Sequence, residues 1–219
     1  CCISSVEEAR VAVECGADAL GLVGPMPSGP GVIDNALIAR IAPTVPPAVA
    51  TFLLSSHTDP ESIISHVRMC GTNTVQIVDE VPVQAYAHLR QGLGPAVRIV
   101  QVLHVWDDSA LEHARTILPH VDSLLLDSGS PRPAPGQPKT LGGTGLVHNW
   151  SISRQIAEAA RAAHRPVFLA WGLSAANAEE AIRTVRPFGL DVCSGVRTNG
   201  CLDADKLSAM ILAMARAHR

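Results

Sequence analysis

The amino-acid sequence predicts an α/β fold, and within that class a single (β/α)8 barrel over residues 1–219. Three observations lead there. Short apolar runs alternate with helical patterns along the whole chain, which is the signature of a parallel sheet with crossover helices. The runs show little apolar-polar alternation, as strands buried on both faces do. The unit recurs roughly every 25 residues, about eight times, which favours closure into a barrel over an open sheet. An open doubly wound sheet is the competing topology, but no G-x-G-x-x-G follows the first strand.

The strand candidates, in order, are 19–23, 48–53, 74–78, 97–105, 123–126, 167–170 and 190–193. Residues 1–3 carry the remains of a further, truncated first strand, so residues preceding Cys1 are expected to belong to it. Eight helical segments lie between and after these runs. Ser4 and Ser5 stand three residues before Glu7 and Glu8, a capping-box spacing that opens a helix to about Cys15, and Gly16 closes it. Asp59-Pro60 reads as an N-cap with proline at the first helical position, and Ile63, Ile64 and Val67 share the apolar face. Ile152 and Ile156 mark the helix after Trp150, and Leu207, Met210, Ile211 and Met214 follow helical spacing in the last one. The Pro/Gly-rich stretch 129–145 is too short to tether two domains, which again gives one domain.

Apolar residues make up 47% and charged residues 17%, the balance of a packed globular chain. A formal charge of -3 gives no attraction to nucleic acid or an anionic membrane, and 3% aromatics provide little base-stacking surface. No run is long and apolar enough to span a bilayer, and no basic-then-apolar leader is present. Cys1, Cys2, Cys15, Cys70, Cys193 and Cys201 include no C-x-x-C pair, so they read as reduced thiols in a cytoplasmic setting, without a metal.

In such a barrel the chemistry belongs to strand C-terminal ends and the loops after them. Asp127 directly follows Leu124-Leu125-Leu126, where a carboxylate can act as a general acid or simply cap a loop. Gly142-Gly143-Thr144-Gly145 can bring backbone N–H groups onto a phosphate. Gly195, and Gly172 in the Ala170-Trp171-Gly172 turn, follow the last two strands, where such barrels commonly bind phosphate. Cys1 and Cys2 end the truncated first strand, and a thiol there can serve as nucleophile or base when its pKa is lowered. Cys15 and Cys70 read as structural thiols. His104 and His148 are further groups that can titrate near neutrality.

Taken together, these residues resemble the phosphoribosylanthranilate isomerase family of tryptophan biosynthesis. Cys1-Cys2-Ile3-Ser4 matches its K-I-C-G-I-T opening, and residues 16–23 match its G-A-D-A-L-G-L-V strand. Residues 124–128 look like its L-L-D-S strand end, 142–145 its G-G-T-G loop, and 191–196 its D-V-S-S-G-V segment. Asp203 and Lys206 are similar to its closing K-D-x-x-K. The resemblance covers essentially the whole chain and implies an Amadori rearrangement without a cofactor. It assigns Asp127 as the acid that protonates the ribose ring oxygen and Cys1 as the thiolate that removes the C2 proton. It assigns Gly143, Thr144, Gly145, Gly172, Ser194 and Gly195 to the substrate phosphate, and Asp191 to the neighbourhood of the aromatic amine. The implied partner is a small phosphosugar. Nothing in the sequence sets an oligomeric state.

The chain departs from the pattern at named positions. Pro30 stands for the arginine of P-x-S-P-R, Val78 for the histidine of Q-L-H-G, Gln101 for a strand lysine, Trp171 for a glycine, and Cys2 for the glycine after the cysteine; F-D-W reads His148-Asn149-Trp150. An arginine's bidentate carboxylate contact has no counterpart in proline. The proton-transfer groups persist while groups on the anthranilate side differ. That leaves two other readings open: a paralogous barrel isomerase or lyase for another phosphorylated aminosugar, and a non-catalytic phosphometabolite-binding protein.

Overall fold

The computed structural model describes residues 1–27, 29–127 and 150–217. Seven parallel strands form one curled sheet in chain order: β1 (Ala19–Val23), β2 (Ala50–Ser55), β3 (Thr74–Ile77), β4 (Arg98–His104), β5 (Ser123–Asp127), β6 (Val167–Leu169) and β7 (Gly189–Leu190). Eight α-helices accompany them among the described residues: α1 (Val6–Glu14), α2 (Asn35–Ile41), α3 (Pro60–Cys70), α4 (Ala85–Leu93), α5 (Ser109–Ile117), α6 (Trp150–Ala162), α7 (Ala178–Val185) and α8 (Ala204–Ala217). A short hairpin, β8 (Arg197–Thr198) with β9 (Cys201–Leu202), precedes α8. The fold is a (β/α)8 barrel, as the alternation of apolar runs predicts. No described helix is long and apolar enough to cross a membrane.

The predicted eighth strand at 190–193 is shorter than expected: only Gly189–Leu190 pair in the ladder with β6. Residues 1–3 form no regular strand, yet they occupy the seam between the sheet's two edges. The Ile3 N–H donates to the Gly21 carbonyl of β1 (3.0 Å), and the Cys1 main-chain nitrogen donates to the Val192 carbonyl beyond β7 (2.7 Å). Gly21 makes the approach possible, because a Cβ there would lie 2.7 Å from Cys1 Cβ.

Strand alternation sorts side chains into two layers. Outward residues such as Leu22, Leu53, Val75, Ile77, Ile99, Leu103, Leu124, Leu126 and Leu169 join the helices in the main core. Inward residues form two smaller clusters: Val100, Val102 and Leu125 with Phe52 and Phe168, and Cys2, Val23 and Leu54 with Cys1, Val78 and Cys193. The second of these lies at the C-terminal ends of β1 to β3, at the barrel mouth.

The helix starts follow their predicted chemistry. The Ser5 side chain accepts from the Glu8 N–H, and Asp59 accepts from the Ser62 N–H ahead of Pro60. Ile63, Ile64, Val67, Ile152, Ile156, Leu207 and Met210 are buried, and Ile211 and Met214 pack partly against the core. Removing one large aliphatic side chain from such a core costs about 2–5 kcal/mol.

Candidate active site

Asp127 is the last residue of β5, two positions beyond the inward-facing Leu125, so its half-buried carboxylate faces the mouth. Its register partner on β4 is His104, and Nδ1 of the imidazole lies 3.7 Å from Asp127 Oδ2. Trp106 stacks on His104, with ring centres 5.3 Å apart and planes 11° from parallel. The indole thereby fixes the face of the imidazole beside the carboxylate.

Cys1 sits on the opposite side of the sheet order, between β1 and the segment after β7. Its main-chain nitrogen donates to Asp191 Oδ1 (3.2 Å) as well as to Val192. Its side chain is 14% exposed and packs in the apolar mouth cluster. Cys2 is buried and takes φ 64°, a left-handed conformation that costs a residue with a Cβ roughly 1 kcal/mol. Its Sγ lies 3.8 Å from Cys1 Sγ and 2.7 Å from Cys193 Sγ. Sequence spacing does not foretell this meeting, because Cys193 is 191 residues along the chain from Cys2.

Two of the three segments expected to hold a phosphate come together. Gly172 takes φ 58° after β6, and Asn177 braces that turn by donating to the Gly172 carbonyl (3.0 Å) while accepting from the Ser174 N–H (2.9 Å). Ser194 and Gly195 form a 3-10 turn, Ser194–Val196, that packs directly on it. A Cβ at Gly195 would stand 2.0 Å from the Leu173 carbonyl oxygen, so only glycine permits the contact. Gly143, Thr144 and Gly145, with His148, lie outside the described residues.

Behind this side runs an ion pair the sequence reading misses. Arg197 and Glu8 meet at 2.9 Å with both side chains largely buried, and the same Arg197 nitrogen also donates to the Cys2 carbonyl. Glu8 also accepts from the Leu202 N–H (2.8 Å) and the Ser4 N–H (2.9 Å). Burial opposes ionisation of Glu8, but Arg197 and these N–H donors outweigh it and hold its pKa down to about 2. One carboxylate thus ties α1, residues 2–4 and the hairpin to the seam where Cys1 stands. The capping-box spacing reveals Glu8 as a helix-start residue and gives no sign of Arg197.

The departures fall in different places. Val78 lies in the mouth cluster with Cys1, and the Pro30 carbonyl is 3.6 Å from Cys2 Sγ. Trp171 takes φ 85° in the turn after β6. Gln101, by contrast, points out of the barrel: it accepts from the Tyr86 hydroxyl of α4 (2.9 Å) and donates to the Ile77, Asp79 and Val102 carbonyls. It therefore does not count among groups that line the mouth.

Cleft residues of general acid-base type at strand C-terminal ends, with two glycine-containing turns packed together beside them, define a barrel of the enzyme class. The particular family follows from comparison. The model of the N-(5'phosphoribosyl)anthranilate (PRA) isomerase family matches residues 1–213, and the chain belongs to that family. N-(5'-phosphoribosyl)anthranilate isomerase 2 of Methanosarcina mazei is 35% identical over 209 residues, covering 94% of this chain and 88% of its own. The phosphoribosyl anthranilate isomerase structure from Thermotoga maritima is 27% identical, with a TM-score of 0.80 over 99% of this chain and 97% of that one. A phosphoribosyl anthranilate isomerase solved in complex with reduced 1-(o-carboxyphenylamino)-1-deoxyribulose 5-phosphate is 26% identical, with a TM-score of 0.78 over 99% and 96% of the two chains.

Proposed function

We propose that this chain is a phosphoribosylanthranilate isomerase of tryptophan biosynthesis, acting in the cytoplasm as one barrel domain. It converts N-(5-phosphoribosyl)anthranilate to the isomeric 1-(o-carboxyphenylamino)-1-deoxyribulose 5-phosphate. The observation that carries this reading is the family match over residues 1–213, with Asp127 at the end of β5 and Cys1 packed in the mouth cluster.

The chemistry is proton transfer alone. Asp127 gives its proton to the ribose ring oxygen as the C1–O bond breaks, and the amine nitrogen's lone pair forms the Schiff base. Cys1, as thiolate, takes the proton from C2, and the electrons move to give an enolamine that tautomerises to the ketone. Each positioned group contributes about 10²–10⁴-fold. Ser194, Gly195 and Gly172, with Gly143, Thr144 and Gly145, bind the phosphate, and Asp191 lies near the anthranilate amine. His104 orients the acid. The reaction needs no cofactor.

Incubation with freshly generated phosphoribosylanthranilate, following the loss of its fluorescence, tests the reading. Turnover by the unaltered chain that collapses in Cys1→Ala and in Asp127→Asn is the expected result. Folded protein without turnover would overturn it.

A further inference from the structure

We infer that Cys2 and Cys193 form a reversible disulfide site that staples the barrel seam. Three observations support the pairing. The two sulfurs stand 2.7 Å apart although they belong to opposite edges of the sheet. Cys2 occupies a left-handed backbone position, φ 64°, that favours glycine, so a thiol is held there at a steric cost. Both residues also differ from the glycine and serine of the family pattern, and the two differences meet each other in space.

Cysteine ligation of a metal is the competing use of such a cluster, since the Cys1, Cys2 and Cys193 sulfurs all lie within 4.8 Å of one another. Zinc-sulfur bonds of about 2.3 Å in a tetrahedron place sulfurs about 3.8 Å apart. Cys1 and Cys2 match that spacing at 3.8 Å, but Cys2 and Cys193 are more than 1 Å too close. Their separation instead lies on the way to a bonded pair at about 2.05 Å.

The electrostatics suit stepwise oxidation. The Cys2 thiol, hydrogen-bonded to Cys193, holds the Cys193 pKa below the ordinary thiol value against the cost of burial, and Arg197 adds its positive charge. The hydrogen bond to Cys193, with burial, pushes Cys2 up, so the shared proton stays with Cys2. Hydrogen peroxide is the oxidant. The Cys193 thiolate attacks one peroxide oxygen, the O–O bond breaks, and Cys193 sulfenic acid forms while hydroxide leaves and takes up a proton. Cys2 sulfur then attacks Cys193 sulfur; the S–S bond forms, the S–O bond breaks, and the departing hydroxide leaves as water with the Cys2 proton. Two thiols and one peroxide give one disulfide and two waters, and an added dithiol reverses it. The bond joins residue 2 to residue 193, across the seam that hydrogen bonds from residues 1–3 otherwise close. The inference is independent of the roles proposed for Cys1 and Asp127.

The full chain is treated with stoichiometric hydrogen peroxide, the remaining thiols are alkylated, and tryptic peptides are analysed by mass spectrometry with and without dithiothreitol. The expected result is loss of two of the six thiols, a link between the peptides carrying residues 2 and 193, and a melting temperature several degrees higher that falls again on reduction. The link should persist in Cys1→Ser and vanish in Cys2→Gly and in Cys193→Ser. Cys2→Gly suits its backbone position, so it separates loss of the thiol from loss of the fold. A link that persists in Cys2→Gly through Cys1, sulfinic acid at Cys193 without a link, a link without a melting shift, or one zinc per chain protecting the thiols would each overturn the proposal.

Discussion

Asp127 and His104 end adjacent strands as register partners, with Oδ2 of the carboxylate 3.7 Å from Nδ1 of the imidazole. The imidazole, itself held by the stacked Trp106, sets the direction of the carboxylate at the mouth. His104→Asn should lower kcat about tenfold with KM little changed, because the carboxylate loses its orienting neighbour. Steady-state kinetics beside a thermal melt check this, and an unchanged kcat in folded protein would reduce His104 to a packing role.

The Glu8–Arg197 pair predicts acid sensitivity. Glu8 has its folded pKa lowered from 4.5 to about 2, so its contribution is fully present above about pH 4.5. It is lost as pH falls through that window toward 2. Allowing for partial solvent screening, the contribution is about 2 kcal/mol. Glu8→Gln should lower stability by that amount at neutral pH and flatten the loss between pH 5 and 2, as urea unfolding at a series of pH values will show. Arg197→Met should cost more, since it leaves a carboxylate surrounded by protein without its cation.

Gly195 predicts a separation of binding from chemistry. A methyl group there meets the Leu173 carbonyl oxygen at 2.0 Å, backbone against backbone, so one of the two turns must move. Overpacking of this kind costs about 1–3 kcal/mol. Gly195→Ala should remain folded with a melting temperature several degrees lower. Its KM for the phosphorylated substrate should rise tenfold or more, with kcat reduced far less, because the acid and base lie outside these turns. Steady-state kinetics beside a thermal melt distinguish this from general destabilisation, which would leave KM unchanged in the folded fraction.

How much of this was legible in the sequence depends on range. Local signals read well: the apolar runs gave all seven sheet strands, and the Ser5 and Asp59 caps sit where hydroxyl and carboxylate side chains satisfy the first helical N–H groups. Asp127 could be placed at the mouth because a strand end is a one-dimensional feature. The ends of the predicted 190–193 strand could not, since the close approach of Gly195 and the seam contacts of Cys1 draw that segment out of the ladder. Arg197 with Glu8 and Cys2 with Cys193 depend on barrel closure, which brings the two ends of the chain together. No spacing rule encodes such pairs.

Gln101 shows how a departure from a family pattern can mislead until its direction is known. It follows the inward-facing Val100 on β4, so it faces the helix layer, where the Tyr86 hydroxyl donates to its Oε1 at 2.9 Å and its amide donates to three carbonyls. Both side chains are almost fully buried, at 1% exposure each. Removing the hydroxyl leaves a desolvated acceptor, a loss of about 1–3 kcal/mol. Tyr86→Phe should therefore destabilise the chain by that amount in urea, yet leave kcat and KM within about twofold, because neither group reaches the mouth. A change of KM larger than its fall in stability can explain would place Gln101 in contact with the substrate after all, and would return it to the residues that set substrate choice.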